Sequence, residues 1–69
     1  MAEQALRRIL RLPAVTDMVG LSRSSIYARI QAGTFPSPIK MGHSSGWIET
    51  EVQAWIERQI AATRESANN

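Results

Sequence analysis

Within a few positions of one another the chain carries Arg23, Ser24, Ser25, Tyr27, Ala28 and Arg29. That set suits contact with DNA better than the making or breaking of bonds. An arginine fork can bond guanine O6 and N7 together, the commonest specific contact with a base. Serine and tyrosine hydroxyls can reach a phosphate or a base edge, and Ala28 keeps the surface low enough to enter a major groove. Arg29 and Lys40 suit phosphate clamps. His43, Ser44 and Ser45 add small neutral groups able to touch backbone oxygens.

Other residues hint at catalysis and fail on spacing. Gly42-His43-Ser44-Ser45-Gly46 matches the G-x-S-x-G string, but a nucleophile elbow needs a strand-to-helix turn and a histidine remote in sequence. Here the single histidine adjoins the serine inside what reads as a loop. With no cysteine and one histidine, no metal site is expected, nor any other cofactor or small-molecule substrate. Glu49, Glu51 and Glu57 fit a helix start and a solvated helix face, not a catalytic carboxylate pair. Trp47 and Trp55 could stack on bases, yet each falls on the inward face of its element and is assigned to the core. No enzymatic activity is expected.

The basic cluster needs a helix to carry it, and the caps define one. Ser22 is a good N-cap, and Gly33 can take the left-handed conformation that ends a helix. Between them Ile26 and Ile30 form an apolar stripe, leaving Ser24, Ala28 and Gln31 on the other side. A short helix over Pro13–Val19, closed by Gly20, precedes it, and proline suits a helix start. Two short helices joined through a glycine turn, the second cationic, predict a helix-turn-helix. Ile9, Leu10 and Leu12 suggest a short edge strand before Pro13. Thr34-Phe35-Pro36-Ser37-Pro38 must be extended, because each proline biases its predecessor away from helix; Phe35 anchors it in the core. Ile39–Met41 and Trp47–Ile48 read as strands around a Gly42–Gly46 hairpin loop, like the wing of a winged-helix domain. Thr50 with Gln53 forms a capping-box pattern, and Val52, Trp55, Ile56 and Ile60 give the following helix one apolar face.

Composition agrees with a polyanion partner. The 69 residues make one small domain, 8–64, with 1–7 expected to be flexible and 65–69 a disordered tail. Residues 1–40 hold Arg7, Arg8, Arg11, Arg23, Arg29 and Lys40 against Glu3 and Asp17, a net charge of +4. Residues 41–69 hold Arg58 and Arg64 against Glu49, Glu51, Glu57 and Glu65, a net charge of −2. Such asymmetry fits one face turned toward DNA. No apolar run approaches the roughly 18 residues of a membrane span, and no signal-peptide pattern follows the early arginines. A cytoplasmic protein is expected.

The segments Arg11-Leu12-Pro13-x-Val15, Gly20-Leu21-Ser22-Arg23-Ser24-Ser25-Ile26-Tyr27, Gly33-x-Phe35-Pro36-x-Pro38-Ile39-Lys40-x-Gly42 and Trp47-x-Glu49-x-Glu51-Val52-x-Ala54-Trp55 resemble the AlpA family of small prophage and mobile-element regulators. The resemblance runs from about Arg8 to Ile60 in unbroken order, and the F-P-x-P-x-K segment is also similar to lambda-type excisionases. It implies a mainly α fold with a small β-hairpin, a winged helix-turn-helix of excisionase or MerR-like type. It further implies double-stranded DNA as partner, with Arg23, Ser24, Ser25 and Tyr27 on the recognition helix and the hairpin on the backbone. An integrase or further copies of the chain on adjacent sites are other implied partners. Where arginines are expected between glycine and tryptophan, this chain has His43, Ser44 and Ser45, which favours neutral phosphate contact over minor-groove insertion. Two other functions fit the same sequence: an excisionase-like factor bending attachment-site DNA, and a small phage protein that inhibits a host enzyme by binding it.

Overall fold

The computed structural model describes residues 8–67; the expected flexible segment 1–7 lies outside them. Three helices pack with a small antiparallel sheet: β1 (Ile9–Leu10), α1 (Leu12–Val19), α2 (Arg23–Ala32), β2 (Ile39–Met41), β3 (Ser44–Ile48) and α3 (Glu49–Ala67). The architecture is winged-helix-like. Sheet order is β1-β3-β2, so the strand expected near Ile9 does lie at an edge, paired through Leu10 with Trp47. Among the described residues no helix is long and apolar enough to cross a membrane.

Local chemistry ends the first two helices as expected. The Gly20 N–H donates to Thr16 O at 2.9 Å with φ 71°, a single-bond left-handed cap. At the end of α2, Gly33 N donates to Ile30 O and Thr34 N to Arg29 O, the paired bonds of a Schellman motif, with Gly33 at φ 79°. An added Cβ at Gly33 meets nothing within 4 Å, so only the backbone resists a side chain there. Gly33→Ala is expected to cost about 1–2 kcal/mol for forcing an L-residue left-handed. In a domain of this size that lowers the melting temperature by about 4–8 °C per kcal/mol. An unchanged melt would mean that α2 ends elsewhere.

The core is Leu10, Val15, Ile26, Phe35, Trp47, Val52 and Trp55. It is held by an exchange between the proline segment and the two indoles. Flanking prolines keep Thr34–Pro38 out of any ladder, and its carbonyls need donors. Trp55 Nε1 donates to Thr34 O at 2.6 Å and Trp47 Nε1 to Pro36 O at 3.1 Å. Phe35 meets Trp55 edge-on with ring centroids 4.9 Å apart.

Three expectations need correction. The hairpin turns on Gly42 and His43 alone, because Met41 pairs with Ser44 and Ile39 with Gly46. Ser44, Ser45 and Gly46 are therefore strand residues. Gly42 at φ 65° supplies the positive φ that a two-residue turn needs at its first position. Gly46 serves close packing, since a Cβ there would collide with Ile9 Cγ2 and Met41 Cε. Secondly, α3 begins at Glu49, inside which Thr50 cannot act as N-cap. The N–H of Glu49 donates instead to Arg8 O at 2.8 Å, and its carboxylate pairs with Arg8 Nε at 3.4 Å, so the residue just before β1 holds the start of the helix. Finally, α3 continues through Glu65 to Ala67, where a tail was expected, and it outruns the core: Ile60 is exposed rather than packed.

Candidate nucleic-acid interface

The turn between α1 and α2 is Gly20-Leu21-Ser22, and Ser22 fixes where α2 starts. Its Oγ accepts the Ser25 N–H at 3.1 Å and donates to Ser25 Oγ at 3.1 Å. Ser25 is consequently half-buried and occupied in the cap, although its own hydroxyl proton remains available. Ile26 is fully buried and locks the helix to the core. That leaves Arg23, Ser24, Ala28 and Arg29 exposed. Arg23 and Ser24 stand in the first turn, where unsatisfied N–H groups and the helix dipole favour anions.

Tyr27 and Arg29 flank this surface and are braced from below. The Tyr27 ring, 39% exposed, meets Trp47 edge-on at 6.3 Å, so its ring covers the core edge while the rest faces solvent. The Arg29 guanidinium lies 5.9 Å from the Trp55 ring centroid, a cation–π contact that holds the charge beside the helix.

Register sorts the hairpin residues into two groups. Side chains alternate across a strand, and Lys40 pairs with Ser45. Both therefore share the sheet face of Trp47, the face that Tyr27 abuts. Ser44 pairs with Met41 and lies on the opposite face with Ile9. The structure thus brings Tyr27, Lys40 and Ser45 to one side, leaves His43 exposed at the turn, and separates Ser44 from them. The G-x-S-x-G string forms a turn and a strand, not the strand-to-helix turn of an elbow. Among the described residues no three His, Asp or Glu side chains cluster to hold a metal ion.

Of the basic residues in the front half, Arg8 is engaged with Glu49. Arg11, Arg23, Arg29 and Lys40 are exposed and in no ion pair among the described residues. Arg11 occupies the N-cap position of α1 without a side-chain cap bond. In sequence it counts toward the basic front half and opens the Arg11-Leu12-Pro13-x-Val15 segment.

The profile of the family described as Prophage CP4-57 regulatory protein (AlpA) matches residues 8–60. The chain is 41% identical over 58 residues to the uncharacterized protein ORF88 of Enterobacteria phage P4, covering 83% of this chain and 66% of that one. It is 39% identical over 59 residues to the DNA-binding transcriptional activator AlpA of Escherichia coli (strain K12), covering 75% of this chain and 84% of the relative. It thus spans just under two thirds of the phage P4 relative's length. No solved structure matches it.

Proposed function

The chain belongs to the AlpA family of prophage regulatory proteins, and from that premise we propose that it is a sequence-specific DNA-binding regulator of phage or mobile-element genes. In this reading α2 lies in the major groove and the β2–β3 hairpin rests on the phosphate backbone. One observation carries it. A helix fixed to the core by Ile26 and capped by Ser22 presents a low face of Ser24 and Ala28, with exposed Arg23 and Tyr27 on one flank and Arg29 on the other. Lys40 and Ser45 extend that face onto the hairpin, where neutral or single-charge groups suit contact with backbone oxygens. Catalysis has no part in this function. The relative named as a DNA-binding transcriptional activator supports the same class of role.

In vitro selection of duplexes with the purified protein tests the proposal. An enriched motif is expected, bound about 10³-fold or more tighter than random DNA. Absence of affinity for any duplex at low salt would overturn it and favour a protein-binding module instead.

The backbone contacts have their own signature. Arg29→Ala and Lys40→Ala should each weaken binding to all sequences alike. Each should also flatten the slope of log K against log[salt] by about 0.9, one phosphate's worth. Arg29→Lys keeps the charge and controls for the lost contact with Trp55. A variant that keeps its affinity but loses sequence preference would move that residue from phosphate to base contact.

A further inference from the structure

Helix α3 projects beyond the domain that anchors it. Val52 and Trp55 seat its start on the core, but every residue from Glu57 to Glu65 is exposed, with Ile60 at 37%. This half has no internal bracing. Oppositely charged side chains steady a helix at spacings of three or four, and at those spacings from Glu57, Arg58, Arg64 and Glu65 the sequence holds no charged residue. A short bare helix is marginal in water.

The charges are nonetheless ordered. The order is palindromic about Ala61, Glu57-Arg58 and then Arg64-Glu65, so that residues seven apart, Glu57 with Arg64 and Arg58 with Glu65, carry opposite signs. At about 100° per residue, Glu57 and Arg64 fall on one flank of the helix and Arg58 and Glu65 on the other. Ala54 and Ala61 lie between them, on the side opposite Val52 and Ile56; Ala54 lines a groove with Phe35 and Trp55, and Ala61 stands one heptad beyond it.

We propose that two copies of this chain pair through the overhang, with their α3 helices antiparallel and crossing at Ala61. Side chains on the same flank meet in an antiparallel pair. Glu57 of one copy then faces Arg64 of the other, and Arg58 faces Glu65; the twofold axis repeats both pairs. A parallel pair makes neither contact; there Glu57 would face Arg58 and Arg64 would face Glu65, an arrangement that reversing both Glu57 and Arg64 could not restore. Ala61 at the axis lets the helices approach to about 8 Å, the close end of the usual range. The face lacks large apolar groups and buries less than the roughly 800 Å² per partner of a standard interface. The contact is therefore weak between free molecules and strong only where two copies are held side by side at high effective concentration. It does not depend on what α2 contacts.

The chain has no cysteine, so an engineered one reports a single contact. Ala61→Cys would lie opposite itself, within the roughly 7 Å between Cα atoms that a disulfide spans. Mild oxidation should convert this variant to covalent dimer much faster than Thr63→Cys, exposed on a different side of α3. Adding Glu57→Arg to Ala61→Cys turns two attractions into two repulsions and should slow crosslinking by about tenfold. Adding Arg64→Glu as well should restore the original rate at unchanged net charge. Mixing the two single reversals, each carrying Ala61→Cys, should give mostly the mixed dimer. Equal rates at positions 61 and 63, or a reversal without effect or without rescue, would overturn the proposal.

Discussion

Trp47→Ala should leave the chain largely unfolded. Trp47 is 1% exposed and is the largest fully buried side chain. It sits opposite Leu10 in the sheet, lies against the Tyr27 ring, and donates its indole N–H to Pro36 O. Truncating a buried tryptophan to alanine costs about 3–5 kcal/mol from lost burial and the cavity left behind. A core this small rarely supplies more than about 3–5 kcal/mol in total. The loss therefore matches the whole stability, and no cooperative melt should survive at 25 °C. Trp47→Phe separates the two contributions. It keeps most of the ring but leaves the Pro36 carbonyl without its donor, at about 1 kcal/mol, so it should still melt cooperatively. A Trp47→Ala variant melting near wild type would show that the ring is not structural, and base stacking by Trp47 would have to be reconsidered.

The helix-turn-helix was legible because its signals are local. Ser22, Gly20 and Gly33 act on backbone groups within five residues of themselves, and the structure places each of these caps where the sequence does. The hairpin was legible too, but not its tight turn, because Ser44-Ser45-Gly46 has little intrinsic strand preference and forms a strand only by pairing with Ile39–Met41. The two glycines bounding that stretch look alike in sequence. Gly42 makes the turn, whereas Gly46 is required by Ile9 and Met41, which only the folded sheet brings over it. The start of α3 was misplaced for a similar reason. Thr50 and Gln53 form a plausible local cap, but the Arg8 carbonyl, remote in sequence, takes the first N–H.

The candidate site divides along the same line. Positions on α2 follow from helical periodicity once Ile26 is known to point inward. The hairpin positions depend on register, and a shift of one residue exchanges the two faces of a strand. In a loop Ser44 and Ser45 could share one contact, whereas in a strand they point to opposite faces. Lys40, Ser45 and Tyr27 make the better-grouped set, and of the hairpin residues Ser45 is the one to test ahead of Ser44.

Arg23 is the residue on which sequence readout should depend. It is the first residue of α2, exposed and in no ion pair among the described residues. Ser22 fixes the helix start immediately before it, while Ile26, one turn on, holds the helix to the core. Its side chain is thus carried on a rigid frame and has no competing partner. In helix-turn-helix proteins it is the N-terminal residues of the second helix that meet base edges. Removing a bidentate arginine–guanine contact costs about 1–3 kcal/mol at the cognate site and much less elsewhere. Arg23→Ala should therefore keep its fold and most of its non-specific affinity, while the ratio of cognate to random binding falls about tenfold or more. Equal loss on both DNAs would make Arg23 a phosphate contact and shift the readout to Ser24, Ser25 and Tyr27. Arg23→Lys is the sharper variant, since it preserves the charge and loses the planar fork. Non-specific binding and its salt dependence should then match wild type while the cognate-to-random ratio stays low. Full recovery of that ratio by lysine would exclude bidentate readout and leave a point charge near the groove as the whole of Arg23's role.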